Sequence, residues 1–292
     1  MLPATNALPG VPWVESPFFE QFFRPEVTEA ETLRVARDLN ERGFAVIDFP
    51  DPALAERAGR IRSNLDPRFD WEGWRSRTQG LRIQDAWNFD EDVRAIAANA
   101  RVLALLSRLY GRQAWPFQTL SFPVGTEQHY HSDALHFNSV PERFMCGVWV
   151  AFEDVDPSCG PLLYYPGSHR WPIYGNEVLG TRVPSPHPGQ GLYEPLWEAL
   201  VRVHGVQPQR FLPRKGQALI WNANLLHGGD AHHDRSRTRW SQVTHYFFED
   251  CAYFTPMYSE IFLGRIAFRR VHDIATGRAM PNLYGGEPID IP

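Results

Sequence analysis

The feature that most constrains this chain is a change of period near Trp115. Before it, apolar residues recur at helical spacing. Leu33, Ala36 and Leu39 follow Thr28-Glu-Ala-Glu31, which reads as a capping box, and Gly43 closes that helix. Phe44–Phe49 reads as a buried strand. A second helix runs from Pro52 to about Leu65, and a third from Asp90 to about Tyr110 with a break near Asn99. After Trp115 the pattern is short runs rich in β-branched and aromatic residues, at 115–122, 127–132, 144–153, 161–165, 208–212, 217–222 and 238–248. Pro123 with Gly125, Asp156-Pro157 with Gly160, Pro166-Gly167 and Lys215-Gly216 punctuate them. Helices first and many strands later predict an all-β core, closed or sandwiched, with flanking helices (α+β). Residues 1–26 read as an irregular arm. Residues 170–206 read as a Pro- and Gly-rich insertion with one helical stretch near Leu196–Val203, a lid that includes Tyr174 and His187. The whole, 1–292, reads as one domain.

Composition sets the limits on function. A chain of 292 residues, 43% apolar, can bury one large core. The net charge is −5 and no Lys/Arg-rich run occurs, so the footprint of nucleic acid or of an anionic membrane is missing. Apolar runs such as Val102–Leu106 are far shorter than the ~20 residues of a membrane span. The N-terminal Met-Leu-Pro-Ala-Thr-Asn has no basic n-region, so no signal peptide is expected. Three scattered cysteines, Cys146, Cys159 and Cys251, argue against a disulfide framework, suit a reducing cytoplasm and read as buried small hydrophobes. A small-molecule substrate is therefore expected, in the cytoplasm, with no nucleic-acid or membrane partner.

The chemistry concentrates in Gln128-His-Tyr-His-Ser-Asp-Ala-Leu-His-Phe137. On a strand, His131 and Asp133 share a face, and an imidazole beside a carboxylate suits a borderline metal. His129 shares that face and competes. The third ligand must come from elsewhere, and Leu225-Leu-His-Gly-Gly229 offers His227, with two glycines that let backbone pass close by. Two imidazoles and one acid fill one face of an octahedron and leave three positions open, the facial triad of iron(II) oxygenases. Two open positions take a 2-oxo acid and the third takes dioxygen. Arg237 or Arg239, on a later strand, offers the forked donor that a second carboxylate needs.

These residues resemble the phytanoyl-CoA dioxygenase-like family of Fe(II)/2-oxoglutarate oxygenases. The resemblance runs in order through Gly43-Phe-Ala-Val-Ile47, His131-Ser-Asp133, Val148-Trp-Val-Ala-Phe-Glu-Asp-Val155 and Gly160-Pro-Leu. It continues through Tyr165-Pro-Gly-Ser-His169, Lys215-Gly-Gln, Leu226-His-Gly228 and Arg239 to His245-Tyr246. It implies a double-stranded β-helix (jelly roll, cupin-like) with iron held by His131, Asp133 and His227. By position relative to His245-Tyr246 it prefers Arg239 as the 2-oxoglutarate partner, and it places Trp149 beside that co-substrate. His169 closes a turn. Two positions depart from the family pattern: Ser132 stands where many members have Gln, and Asp230-Ala-His-His-Asp-Arg-Ser236 replaces Asn-x-Ser. Both flank the pocket, so the family's substrate does not transfer, and no basic cluster suits a CoA group.

The activity this implies is hydroxylation of a small polar metabolite with release of succinate and CO2. In related halogenases a small residue takes the place of Asp133. Among nearby polar and aromatic residues (Gln84, Asp85, His136, Tyr165), Gln118 and Asn138 are the candidates for substrate contact. The alternatives are a cupin-type metal enzyme without 2-oxoglutarate, a non-catalytic binding member of the fold, and a zinc hydrolase. The last lacks a His-Glu-x-x-His pattern.

Overall fold

A computed structural model describes residues 6–76, 80–183 and 189–291. Helix Ala30–Arg42 turns an apolar stripe of Leu33, Val35, Ala36 and Leu39 inward, and Gly43 ends it at φ 86°. Its cap is Glu29, whose carboxylate accepts the N–H groups of Glu31 and Thr32, not the expected Thr28. Helix Leu54–Leu65 follows strand Phe44–Asp48. The expected 90–110 helix is two, Glu91–Ala97 and Ala100–Tyr110, and Asn99 caps the second.

Six antiparallel strands form the large sheet, in the order Phe44–Asp48, Gln217–Asn222, Met145–Ala151, Ser241–Phe248, Ala114–Phe122 and Ile83–Gln84. A second sheet pairs Gln209–Phe211, Leu162–Tyr164 and His227–Gly229. Period-two alternation decides what each face buries. Val148, Val150, Ala218 and Ile220 pack toward the helices. Trp149, Ala151, Leu219, Trp221 and Val243 point the other way, into a second core shared with Tyr164 and Phe211 of the smaller sheet. The two sheets thus face one another across an interior lined by both, the expected jelly roll with helices outside.

Residues 127–132 do not form the expected strand. Glu127 sits at φ 51°, which breaks the extended run, and only His131 pairs, by an isolated bridge to His227. The insertion carries helices Asn176–Leu179 and Glu194–His204. Tyr193 and Trp197 pack on Leu135, Tyr165 and Leu226, against the backbone that carries the candidate ligands. His187 lies outside the described residues. No described helix is long and apolar enough to cross a membrane.

Candidate metal centre

Backbone pairing brings the two candidate histidines together. His131 donates its N–H to the His227 carbonyl at 2.9 Å and accepts from the His227 N–H at 3.0 Å. Two strands can approach this closely because Gly228 has no Cβ. One built there would lie 2.7 Å from the Gln128 carbonyl and 2.8 Å from the Tyr130 backbone. The glycines thus admit the neighbouring backbone. The turn Ser168–Arg170 fixes the same stretch from behind, as Leu226 N–H donates to Ser168 Oγ at 2.8 Å. Asp133 reaches the pair by opening a 3-10 turn, Asp133–Leu135.

Each imidazole is oriented by its own chain. His131 Nδ1 lies 3.0 Å from the His129 carbonyl, and His227 Nδ1 lies 3.0 Å from the Leu225 carbonyl. A carbonyl only accepts, so both rings carry their proton on Nδ1 and present an Nε2 lone pair inward. Those nitrogens lie 3.6 Å from Asp133 Oδ1 and 3.7 Å from Oδ2. Donor atoms of His131, Asp133 and His227 all fall within 4.8 Å of one another, and all three residues are buried. Burial lowers His227 to about 4, against the pull of Asp133, and so keeps its lone pair free. Burial also works to raise the Asp133 carboxyl, but the facing His227 and His131 outweigh it and hold it well below the usual range. A carboxylate oxygen and two imidazole nitrogens, with no thiolate, make a donor set that fits iron(II).

The triad opens on a cavity of about 290 Å³ with Arg239 and Trp149 in its wall. Arg239 is 1% exposed. Its guanidinium donates to the Gly160 carbonyl at 3.0 Å and to the Val124 carbonyl at 3.4 Å, and its Nε has no partner. Among the described residues it forms no ion pair, and burial lowers it to about 10. Its charge lies 5.4 Å from the Trp149 ring, whose indole nitrogen is also unpartnered. A buried cation without an anion is costly, and a carboxylate ligand would relieve that cost. Arg237 faces solvent and pairs with Asp156 at 2.9 Å.

Gln118 lines the cavity, as expected of a contact residue. Asn138 does not: its carbonyl oxygen accepts the N–H groups of Ser139 and Arg143 and closes a local turn. His129 also leaves the site, with Nδ1 near the Tyr130 carbonyl and Nε2 3.3 Å from Glu198. Ser132 faces away from the cavity and donates to Asn224 at 2.7 Å. Sequence reading did not place His136, Trp221 and His245 in the wall. Burial lowers His136 to about 4, and its Nε2 is unpartnered. Trp221 donates its indole N–H to Asp133 Oδ2 at 2.9 Å. His245 Nε2 lies 3.6 Å from the same oxygen. Strand register brings Trp221 and His245 to the site, and the turn after Asp133 brings His136.

Residues 39–239, more than half of the chain, match the family model described as Phytanoyl-CoA dioxygenase (PhyH). No curated protein matches. Among solved structures, the chain is similar to SnoN, a non-heme alpha ketoglutarate dependent epimerase from nogalamycin biosynthesis. The identity is 18%, with 90% of this chain and 96% of that one covered and a TM-score of 0.59. It is also similar to the carbocyclase SnoK from the same biosynthesis, at 15% identity, 91% and 95% coverage and a TM-score of 0.60. A third is EctD from S. alaskensis, solved with 2-oxoglutarate and 5-hydroxyectoine, at 16% identity, 76% coverage of each chain and a TM-score of 0.54. At these identities the likeness is one of fold.

Proposed function

The chain belongs to the phytanoyl-CoA dioxygenase family, and from that premise we propose that it is an iron(II)- and 2-oxoglutarate-dependent oxygenase that hydroxylates a small polar molecule and releases succinate and CO2. His131, Asp133 and His227, which line the cavity, would hold the iron in this reading. The iron supplies dioxygen activation coupled to decarboxylation of the keto acid. The chain's own residues bind, orient and shield. Arg239 takes the far carboxylate of 2-oxoglutarate on its open guanidinium edge, and Trp149 donates its free indole N–H beside it. Gln118 and Gln84 remain for the substrate on the adjoining wall.

One observation carries the reading: a fully buried arginine with no ion-pair partner among the described residues shares a cavity with a His-Asp-His cluster. A metal-only enzyme would have no use for that charge. The described parts of the 170–206 insertion, residues 170–183 and 189–206, act as the lid. Gln190 meets Gln128 of the cavity wall at 3.4 Å, and the Trp197 ring lies 6.5 Å from that of His131. An epimerase, a carbocyclase and a protein holding 5-hydroxyectoine share the fold, so the wall residues rather than the barrel set the outcome at carbon. The test is succinate formation by the iron-loaded protein in air, with 2-oxoglutarate and a panel of small polar metabolites. Oxygen-dependent succinate that chelation abolishes is expected. No succinate above the iron-free control, from any member of the panel or from 2-oxoglutarate alone, overturns the reading.

A further inference from the structure

We propose that His245 is a positioning residue for Asp133, fixing which carboxylate oxygen is offered to the metal; the proposal rests on the iron reading above. His245 lies inside the barrel on strand Ser241–Phe248, opposite Gln118 in the register, and a bulge follows at Tyr246. It is 4% exposed. Its two ring nitrogens are differently occupied. Nε2 faces Asp133 Oδ2 at 3.6 Å, and Nδ1 lies 3.0 Å from the side-chain amide oxygen, Oε1, of Gln118.

His245 is not a fourth ligand. The donor atoms that gather within 4.8 Å are those of His131, Asp133 and His227, and His245 falls outside that group. It also lacks the orientation that His131 and His227 share, since no backbone carbonyl takes its Nδ1 proton. Gln118 can serve as donor or acceptor, because turning its amide by half a rotation exchanges oxygen for nitrogen. With the ring neutral, as its burial favours, one arrangement avoids setting a ring lone pair against a buried carboxylate: the Gln118 amide turned so that its N–H donates to Nδ1, with Nε2–H pointing at Oδ2.

Oδ2 then accepts the Trp221 indole N–H at 2.9 Å. It also faces two imidazole nitrogens beyond hydrogen-bond distance, His245 Nε2 at 3.6 Å and His227 Nε2 at 3.7 Å, of which His245 alone turns an N–H toward it. Oδ1, 3.6 Å from His131 Nε2, keeps its lone pairs for the ion. Trp221 reaches this place because residue 147 is glycine: a Cβ there would lie 2.1 Å from the indole ring. Two residues from different strands thus hold one oxygen of the acid ligand and release the other, the arrangement by which outer partners orient a ligating carboxylate.

The experiment uses the full-length protein and two readouts. The first is nitrogen-15 NMR of the metal-free wild type, with the His245 resonances assigned by their loss in His245→Phe. A proton on Nε2 is expected, and a proton on Nδ1 alone overturns the proposal. The second is anaerobic Fe(II) affinity with the 2-oxoglutarate charge-transfer band, compared among wild type, His245→Phe and His245→Gln. The Phe variant is expected to bind Fe(II) roughly 10–100-fold more weakly with a shifted band, and Gln, which restores an N–H, to recover most of both. Unchanged affinity and band in His245→Phe, or a Gln variant no better than Phe, overturns the assignment to His245 alone. A wild type that binds no Fe(II) overturns the iron reading and this proposal with it. If His245→Phe does not fold, the NMR readout on the wild type, assigned instead with His245→Gln, decides.

Discussion

Arg143 and Arg239 are both drawn into the body of this protein, and they are provided for differently. Arg143, at φ 72°, meets Glu15 at 2.8 Å and donates to the carbonyls of His169 and Trp171 at 2.6 and 3.0 Å. Glu15 is buried, which pushes its carboxyl up, and Arg143 partly offsets that shift. That pair ties the N-terminal arm to the turn behind the metal strand. Arg239 is buried more deeply yet meets only two neutral carbonyls and faces a cavity. A buried cation that already has its anion is a fastener. One left without it, beside a metal-binding cluster, is waiting for a ligand.

The sharpest way to break this contrast is to truncate both. Arg239→Ala should raise the Kd for 2-oxoglutarate by about 30- to several-thousand-fold, the ~2–5 kcal/mol of a desolvated charge contact, while the melting temperature of the ligand-free protein holds or rises. Calorimetric titration and a thermal melt check the two halves. Arg143→Ala should do the reverse. It strands Glu15 and costs about 2–4 kcal/mol in denaturant unfolding, with 2-oxoglutarate affinity unchanged. A smaller effect comes from pH. Burial lowers His169 and His227 to about 4 from 6.5, so the unfolded chain binds their protons first. Stability of the metal-free protein should be full above about pH 6.5 and fall as pH drops toward 4, read from urea midpoints across that range. Trp149→Phe removes the indole N–H together with some ring volume from the core, and should weaken 2-oxoglutarate binding several-fold, about 0.5–1.5 kcal/mol. Arg237→Ala, which loses an exposed pair with Asp156, should change neither affinity nor melting temperature measurably.

Much of this was legible in the sequence, because the decisive signals were local. Gly43 and Asn99 mark helix ends, and the 217–222 run is a strand with the same limits. His131 and Asp133 were paired for the wrong reason. They meet through a bridge and a 3-10 turn, not through alternation along a strand. Arg237 and Arg239, both cationic and two apart, are not told apart by residue type; the family resemblance favours Arg239, and it is Arg239 that the fold seals beneath Gly160 and Val124. Asn138 looked like a contact residue because it is polar and near the motif, but its oxygen is used up by its own turn. In the sequence His136 is only one of several polar residues near the motif, and Trp221 and His245 are invisible as site residues, since nearness to Asp133 is made by a turn after the ligand or by register between strands, not by spacing.

The central claim is that one cavity holds a keto acid at both ends, on the triad and on Arg239. Anaerobic titration of the Fe(II)-loaded wild type, followed by visible charge-transfer absorption, tests it most directly, with 2-oxoglutarate and pyruvate compared. The two share the keto acid, but pyruvate lacks the far carboxylate. The account predicts a saturable band with 2-oxoglutarate and the need for far higher concentrations of pyruvate. No band with 2-oxoglutarate, or equal affinity for the two, would contradict it.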